Sequence, residues 1–374
     1  MTVYFPLDIS EWAFIIEPLA REVGMPLKDS SYRPPDLHCR VALVAGATRG
    51  VGRGTALALG EAGATVYCTG RSTRTTKTKG FEAPRRGSAE ARKALPADYY
   101  NNRPETIEET SEMVRARGGK GIPVVVDHLE PEKVEKLISR IRREQGELHV
   151  LVNAISESAE HELGKTFWQA DLGRGFAMFR NAVDTHIITN HFAAPLLIEA
   201  AAKKEVQSGL IVEVGDGDSF VYRGNLFFDM IKTTVIRQAF AMARELRRKN
   251  VAAIALTPGF LRSEIMLEHF GVSEANWRDA VKKNPDYIIS ETPLFAGRAI
   301  AALAADPNIM KKSGRVFSSW GLSEEYDFCD ADGSHPHWGR YFQGKYGDCL
   351  KSCDGTFYQY WSGGPMDTMY ANWP

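Results

Sequence analysis

The chain has 374 residues, of which 44% are hydrophobic and 25% are charged, and its formal net charge is -1. This composition excludes a disordered chain and predicts a globular protein with one large core or two smaller ones. The balance of acidic and basic side chains gives no general field to attract nucleic acid or a membrane surface, so a small-molecule substrate is favoured and neither of those partners is expected.

Targeting and membrane segments are not evident in the sequence. No apolar run approaches the roughly 18 residues that a membrane-spanning helix needs. The first residues, MTVYFPLDISEW, lack the basic start and the small-residue cleavage site of a signal peptide. We therefore expect a cytoplasmic protein.

The cysteines predict neither disulfides nor a metal site. There are five of them, an odd number that argues against a disulfide framework. Three, Cys329, Cys349 and Cys353, lie near His335 and His337. Because their spacing matches none of the paired forms of zinc sites, free thiols are favoured and no metal is expected.

Short apolar runs alternate with helical patterns between about 40 and 320. The runs fall at 40–47, 64–70, 121–127, 148–154, 209–214, 251–259 and 314–319. Helical periodicity fills the gaps at 50–62, 105–117, 131–145, 174–204, 228–249 and 293–305. This alternation predicts an α/β fold of the Rossmann type, in which a doubly wound, seven-stranded parallel sheet is covered by helices on both faces.

The pattern divides the chain into an N-terminal extension (1–38), a Rossmann-type domain (39–320) and a C-terminal extension (321–374). The first extension holds an apolar helical stretch, EWAFIIEPLAREV, which we expect to pack on the core or on a neighbouring subunit. The second is rich in aromatic residues and is expected to cover the core or another subunit. The long basic loop 71–104 has two open interpretations, a solvated loop and a lid over an anionic ligand.

The first predicted strand leads into AGATRGVGRGT, a GxxxGxG spacing that precedes an apolar helix. Glycines let the backbone approach a pyrophosphate, and the start of the helix directs N–H groups and a positive dipole end at it. The strand–turn–helix context therefore predicts a dinucleotide site, with a tight turn that binds nothing as the alternative. The expected contacts in this loop are Gly46, Thr48, Arg49, Gly50, Val51 and Gly52.

The end of the second predicted strand indicates which dinucleotide binds. An NAD site needs an acidic residue there for the ribose hydroxyls, whereas a 2′-phosphate needs an arginine. The sequence YCTGRST supplies Arg71 and Ser72 and no carboxylate, and Arg49 adds a second guanidinium. NADP(H) is therefore predicted in preference to NAD(H).

Over about residues 38–320, these motifs resemble those of the short-chain dehydrogenase/reductase family. The matching pieces are AGATRGVG for TGxxxGxG, VVVDH for the strand beside the adenine, LVNA for LVNNAG and TPGFLRS for the PGxxxT strip beside the nicotinamide. The resemblance implies that Asp127 and His128 contact the adenine and that Asn153 lies near the ribose. It also implies that Pro258, Gly259 and Ser263 contact the nicotinamide end.

The family transfers a proton with a Tyr and a Lys in a YxxxK pattern, which places both on one face of a helix. The Lys holds the ribose and lowers the pKa of the phenol, and the Tyr passes a proton while hydride moves at the nicotinamide. Here the strip reads FDMIK, so Lys232 is retained and Phe228 stands in the Tyr position. Phenylalanine has no proton to give.

The family's Ser and Asn are also in question. The Ser position falls at Gly215 or Asp216, and the Asn position at Asn181 or Ala182. With Lys232, the candidate catalytic residues are therefore Asp216, Asp218, Tyr222 and His186. Capping or a turn is an equal alternative for the aspartates, and packing is favoured for His186 and Tyr222.

Three functions remain open. The first is an NADP(H)-dependent oxidoreductase with a relocated acid, acting on a small apolar or cyclic carbonyl, imine or activated alkene. The second is a non-redox cyclase, dehydratase or isomerase that keeps NADP(H) as a scaffold, and the third is a catalytically silent binding partner. The first is preferred and the third is ranked last, since Arg49, Arg71 and Lys232 suit an NADP ribose-phosphate.

Substrate and assembly are less defined. Aromatic residues that offer an apolar, ring-accepting pocket are Trp168, Phe220, Tyr222, Phe227 and Trp320, although scattered aromatic residues more often belong to a core. By resemblance to the family, the predicted helices 174–204 and 228–249 pair in a homodimer or homotetramer.

Overall fold

The structure, a computed structural model, describes residues 32–75, 103–156, 165–203, 208–217 and 225–350, with side chains as far as 345. The apolar helical stretch predicted in the N-terminal extension lies outside the described residues, as does most of the basic loop 71–104. The interpretation of that loop as a lid or as a solvated segment stays open.

Within the described residues, seven strands form one parallel sheet in the order β3-β2-β1-β4-β5-β6-β7. The strands are β1 (Val41–Ala45), β2 (Thr65–Gly70), β3 (Lys120–Val125), β4 (Val150–Asn153), β5 (Gly209–Val214), β6 (Val251–Thr257) and β7 (Val316–Ser318). Each predicted apolar run forms one of these strands, so the predicted sheet is confirmed. The order reverses between β1 and β4, and a cleft is expected at the carboxyl ends of strands at such a point.

The helices follow the predicted alternation. They are α1 (Gly50–Glu61), α2 (Ile107–Ala116), α3 (Pro131–Gln145), α4 (Leu172–Phe179), α5 (Thr185–Ala201), α6 (Leu226–Leu246), α7 (Glu264–Phe270), α8 (Pro293–Ala305), α9 (Ser319–Tyr326) and α10 (Trp338–Leu350). In the part of the chain that the structure describes, none of them has both the length and the apolar composition that crossing a membrane requires.

The predicted helix 174–204 is not continuous. It consists of α4, a π-helical turn at Arg180–Asp184, and α5. A π turn adds a residue to one turn of the helix and so changes which positions face inward beyond it. Ala182 and Val183 of this turn are buried at 2% and 5% exposure, so the apolar pattern continues through the turn and conceals the interruption.

The C-terminal extension contains helices that its weak periodicity did not predict. Leu322 of α9 and Phe328 are 1% and 2% exposed and belong to the main core. The ring of Phe328 lies 5.2 Å from that of Phe295 in α8. The described part of the extension therefore packs on the core of its own chain.

Alternate side chains of the central strands enter two different cores. Ala42 and Val44 of β1 face a core shared with α1 and α8. Val41 and Leu43 face a second core shared with α3 and α5. This period of two is the signature of a strand with both faces covered, and it confirms the predicted helices on both faces of the sheet.

Helices α1 and α8 touch through their backbones. A Cβ on Gly54 would lie 2.0 Å from Pro293 O, and a Cβ on Gly297 would lie 2.3 Å from Gly54 O. Neither position has room for a methyl group. The contact fixes α1, and with it the loop that joins α1 to β1.

The change Gly297→Ala should lower the free energy of unfolding by about 1–3 kcal/mol, because the new methyl group forces the two helices apart. Urea unfolding followed by circular dichroism measures this difference. Gly344→Ala in α10 is the matched control, since nothing lies within 4 Å of a Cβ at that position. Equal losses in the two variants would contradict the close contact of α1 and α8.

Candidate functional site

The loop after β1 is pressed against the segment after β4. Gly46 has a φ of +87°, and a Cβ there would lie 2.9 Å from Ile155 N. A Cβ on Gly52 would lie 2.1 Å from Gly46 O, so α1 starts directly on the turn. The N–H groups of Gly46 and Ala47 donate to Thr69 O over 3.1 and 2.9 Å. The glycines thus place the N-terminus of α1 at the carboxyl edge of the sheet, as the motif predicts.

The start of α1 holds a carboxylate. Gly50 N–H donates to Glu264 Oε2 over 2.8 Å, and Glu264 Oε1 lies 3.6 Å from Arg53 Nε. Glu264 is the first residue of α7, which follows the strip Pro258–Ser263. Helix N-termini bind phosphate groups through such N–H donors, so a carboxylate oxygen seated here indicates that the loop fits an anionic group. No motif in the sequence pointed to Glu264.

Arg71 lies at the end of β2, beside a carboxylate. Its Nη1 is 3.7 Å from Asp127 Oδ2, and 43% of its side chain is exposed. Asp127 Oδ1 accepts the N–H of Leu129 over 3.0 Å. The structure therefore brings these two predicted residues together, and the Arg71 guanidinium keeps a large accessible surface.

Arg49 is engaged with a buried carboxylate. Its Nε lies 3.3 Å from Glu105 Oε2, and Arg103 Nη2 lies 2.8 Å from Glu105 Oε1. Burial acts to raise the pKa of Glu105, but the hydrogen bond and charge of Arg103 outweigh it and the pKa is lowered. Glu105 is therefore a charged partner of Arg49. It follows the basic loop and belongs to no motif, so sequence reasoning missed it.

The remaining predicted contacts of this region also have structural partners. Thr48 O accepts from Arg53 Nε over 2.9 Å. Ser72 O accepts the N–H of Ile107 over 3.1 Å. Val51 is 9% exposed and belongs to the core. These residues hold the loop in place through side-chain or backbone atoms.

His128 lies inside the domain. Its Nε2 is 2.8 Å from Thr69 Oγ1, and its Nδ1 is 2.8 Å from Thr189 Oγ1. Burial lowers the pKa of His128 to about 4, so the ring is neutral at physiological pH. Because both ring nitrogens are hydrogen-bonded inside the protein, neither is available to an adenine. In the structure, the ring joins β2 to α5.

A buried polar cluster lies under the centre of the cleft. Asn153 Nδ2 donates to Glu213 Oε1 and to Asn190 Oδ1, each over 2.8 Å. Asn190 Nδ2 also donates to Glu213 Oε1, over 2.7 Å. The cluster joins β4, β5 and α5, and the expected contact of Asn153 near the ribose stays a prediction. Glu213 was missed, although an acidic residue in the apolar run GLIVEV is a visible signal.

His186 belongs to the same cluster. Its Nδ1 lies 2.5 Å from Glu213 Oε2, and its Nε2 donates to Ile155 O over 2.9 Å. Since a carbonyl oxygen only accepts, Nε2 carries a proton. The side chains of His186 and Glu213 are 1% and 0% exposed. The candidate acid of the sequence analysis is therefore placed as a link in a buried network.

Helix α6 presents the retained lysine beside the phenylalanine. Asn225 caps the helix, and its Oδ1 accepts the N–H groups of Phe227 and Phe228 over 2.9 and 3.2 Å. One turn later, Lys232 is 8% exposed, and its Nζ lies 5.1 Å from the centroid of the Phe228 ring. The spacing of four residues thus brings the two side chains together, as predicted, in a cation–π arrangement.

The loop after β5 is described only in part. Asp216 is exposed at the carboxyl edge of the sheet. Gly217 N–H donates to Thr257 Oγ1 over 2.6 Å, which joins this loop to the end of β6. Asp218 and Tyr222 lie outside the described residues.

The strip after β6 is held by a buried glutamate. Ser263 Oγ accepts the N–H of Met266 over 3.4 Å and caps α7. Gly259 lies against the carboxyl group of Glu291, which is 1% exposed. Burial raises the pKa of Glu291 to about 8. Sequence reasoning missed Glu291, although it is an acidic residue within the run YIISETPLF.

The predicted aromatic pocket is not assembled by its described members. Trp168 is 71% exposed, whereas Phe227 and Trp320 are 8% and 6% exposed. Phe220 and Tyr222 lie outside the described residues. Instead, a shallow and mostly apolar groove opens between α4 and α6. Its lining residues are Phe176, Phe179, Arg180, Asp184, Phe227 and Met230.

Cys329 and His335, in the C-terminal part of the chain, have partners other than a metal ion. Arg298 Nη1 donates to Cys329 O over 2.7 Å, and His335 Nδ1 lies 3.2 Å from Ser323 Oγ. Across the described ranges, no three His, Cys, Asp or Glu side chains are grouped so as to hold a metal ion. Cys353 and the side chain of Cys349 fall outside those ranges.

Known proteins resemble this chain in sequence. The family model described as short chain dehydrogenase matches residues 87–270. The mouse protein named Dehydrogenase/reductase SDR family member 1 is 31% identical over 300 residues, which cover 79% of this chain and 84% of the mouse protein. A relationship of this extent spans most of both chains.

Solved structures share the fold. A short chain dehydrogenase from Mycobacterium thermoresistibile matches with a TM-score of 0.60 at 17% identity, over 81% of this chain and 93% of that one. A protein from Beutenbergia cavernae, solved with NADP bound at low occupancy, matches with a TM-score of 0.55 at 19% identity, over 76% and 97%. These likenesses confirm the fold, and the sequence relationship supplies the family. The chain belongs to the short-chain dehydrogenase/reductase family, oxidoreductases that bind NAD(P).

Proposed function

We propose that the protein is an NADP(H)-dependent oxidoreductase with a non-standard active site, acting on a small apolar or cyclic carbonyl, imine or activated alkene. The observation that carries the proposal is the start of α1, where Gly50 N–H already holds an anionic oxygen of Glu264 at 2.8 Å. The same edge of the sheet carries Lys232 on α6 and the strip Pro258–Ser263. These elements fit a dinucleotide that runs along the carboxyl ends of the strands.

The preference for NADP(H) rests on the end of β2. Arg71 is 43% exposed and meets Asp127 at 3.7 Å, longer than the usual distance of a charge-assisted hydrogen bond. Its planar guanidinium is suited to a 2′-phosphate, which would compete for it with a single carboxylate. Arg49 is bound more firmly, because Glu105 lies 3.3 Å away in a buried setting. Arg71 is therefore the principal phosphate ligand in this proposal.

The bound cofactor would supply or accept the hydride, and the residues of the chain decide how a proton follows it. Lys232 Nζ lies 5.1 Å from the centre of an aromatic ring that has no hydroxyl group. His186 is buried with both nitrogens engaged, which favours positioning over proton transfer to a substrate. Asp216 is exposed in the loop after β5, and it is the candidate acid in this loop whose position the structure describes. Substrates whose reduction needs little acid assistance are favoured for this reason.

The proposed setting is a cytoplasmic homo-oligomer with a small-molecule substrate. Support comes from large apolar side chains on the surface of α5 and α6, where the family resemblance places subunit contacts. Ile187, Leu226 and Met230 are 52%, 40% and 47% exposed. Burial of these side chains against a second copy of the chain would remove apolar surface from water.

The change Arg71→Glu should weaken NADPH binding by about 10-fold to 100-fold, because a phosphate ligand becomes a repelling carboxylate. NADH binding should change little. Tryptophan-fluorescence titrations with both cofactors measure the difference. Arg142→Glu is the control for charge alone, since Arg142 is exposed on α3 and pairs with Glu199. Equal losses for NADPH and NADH in Arg71→Glu would overturn the preference for NADP(H).

The change Phe228→Tyr should raise carbonyl reductase activity by about 100-fold, because it places a phenol beside Lys232 that can act as a general acid. A panel of cyclic ketones with NADPH serves as the assay. Phe228→Leu, which restores no hydroxyl, should show no gain, and adding Lys232→Met to Phe228→Tyr should abolish the gain. Absence of any gain would mean that the cleft is shaped for other chemistry.

Label from 4-deuterated NADPH should appear in the product once a substrate is found. Hydride transfer moves the deuterium to carbon, where mass spectrometry detects it, and NADPH labelled on the opposite face of the nicotinamide is the control. A product without label from either form would favour the alternative, a cyclase, dehydratase or isomerase that keeps NADP(H) as a scaffold.

A further inference from the structure

The strip Pro258–Ser263 lies outside the strands, yet its backbone is paired with one residue. Glu291 N–H donates to Phe260 O over 2.8 Å, and Arg262 N–H donates to Glu291 O over 2.7 Å. The two bonds form an isolated parallel bridge between Leu261 and Glu291. The path of the strip after it leaves β6 is therefore tied to the backbone of Glu291.

The side chain of Glu291 reaches the same strip. Its carboxyl group lies against the backbone of Gly259. Ser319 Oγ donates to Glu291 Oε2 over 2.7 Å, and Ser319 is fully buried at the start of α9. The carboxyl group thus joins the first residues of the strip to the segment that follows β7.

Gly259 is enclosed on this side. A Cβ at Gly259 would lie 2.8 Å from Glu291 Oε2 and 3.0 Å from Trp338 Cβ. Trp338 begins α10, in the C-terminal extension. Glu291 and Trp338 therefore form a wall behind Gly259, and the strip cannot move toward that wall.

We propose that Glu291 is a positioning residue for the nicotinamide half of the cofactor, and that through Trp338 the C-terminal extension is part of the cofactor site. This inference rests on the proposed function, in which the strip Pro258–Ser263 touches the nicotinamide end. Glu291 holds the strip both through its own backbone and through its own side chain. It therefore determines the distance between the strip and the nicotinamide ring. The adenosine half of the cofactor would lie on the other side of the point between β1 and β4 where the strand order reverses, so its binding should not depend on Glu291.

The test compares two ligands. Glu291→Ala leaves the Ser319 hydroxyl without its buried acceptor and removes the side chain that lies against Gly259, so NADPH affinity should fall about tenfold or more. Adenosine 2′,5′-bisphosphate, which lacks the nicotinamide half, should bind as it does to the unaltered protein. Glu291→Gln keeps an acceptor oxygen and should restore NADPH affinity at pH 7 to within about threefold. Glu325→Gln on α9 is the matched control, since that exposed residue pairs with Lys312 away from the strip.

Measuring NADPH affinity over a series of pH values is a second test of the positioning role of Glu291. Burial raises the pKa of Glu291 to about 8, and the titratable groups that act on it are Asp330 and Arg262. Ionisation of Glu291 above this pH places a negative charge in the buried setting behind Gly259, so the NADPH affinity of the unaltered protein should fall as the pH rises through that value. In Glu291→Gln the affinity should stay level over the same range.

The outcomes separate the two proposals. Parallel losses of NADPH and bisphosphate affinity in Glu291→Ala, or loss of neither, would overturn the positioning role while leaving the NADP(H) preference intact. Failure of Glu291→Gln to restore affinity would also overturn it. If the unaltered protein binds neither ligand, the proposed function fails, and this inference fails with it. Thermal unfolding of each variant identifies any loss that comes from misfolding.

Discussion

The carboxylate of Glu213 has no exposed surface, so whatever negative charge it carries must be balanced inside the protein. The side chains of Asn153, Asn190 and His186 hydrogen-bond to its two oxygens. Removing a partner would leave a buried charge or polar group unsatisfied, which costs far more than a surface contact is worth. Because the partners come from β4 and α5, while Glu213 is in β5, the network sets the floor of the cleft. The glycine loop rests on the neighbouring segment, at Ile155.

Carboxylates play the same organising part at each end of the cleft. Glu105 holds Arg49 just before α1, Glu264 occupies the start of α1, and Glu291 supports the strip after β6. Their partners are the guanidinium of Arg49, the N–H of Gly50 and the hydroxyl of Ser319, and the pairs connect elements that are separated in the sequence. The site is thus shaped by acidic residues, although the ligand expected there is itself an anion.

The repeating parts of the molecule were predictable, and the acidic residues were not. Strand periodicity, the GxxxGxG spacing and the four-residue interval from Phe228 to Lys232 are local patterns, and the structure reproduces the geometry that each one predicts. Glu264 and Gly50 are 214 positions apart, and no local pattern records such a pairing. The C-terminal helices escaped prediction because their burial depends on Phe295 and other distant residues. The π turn escaped because the apolar positions continue through it, and periodicity alone does not reveal an inserted residue.

The contact between Glu264 and Gly50 has a consequence for how the site responds to a ligand. An anionic dinucleotide at this loop would have to displace a carboxylate that is tethered to the same chain, so its binding is an exchange of one anion for another. The measured binding free energy of the cofactor would then contain the difference between two electrostatic interactions with the start of α1, that of the cofactor phosphate and that of the Glu264 carboxylate. The displaced carboxylate stands on α7, directly after the strip Pro258–Ser263 that we propose faces the nicotinamide, so occupancy of the phosphate site would be linked to the position of the substrate side of the cleft. Through α7, binding at the phosphate site would then change the conformation of the substrate side of the cleft.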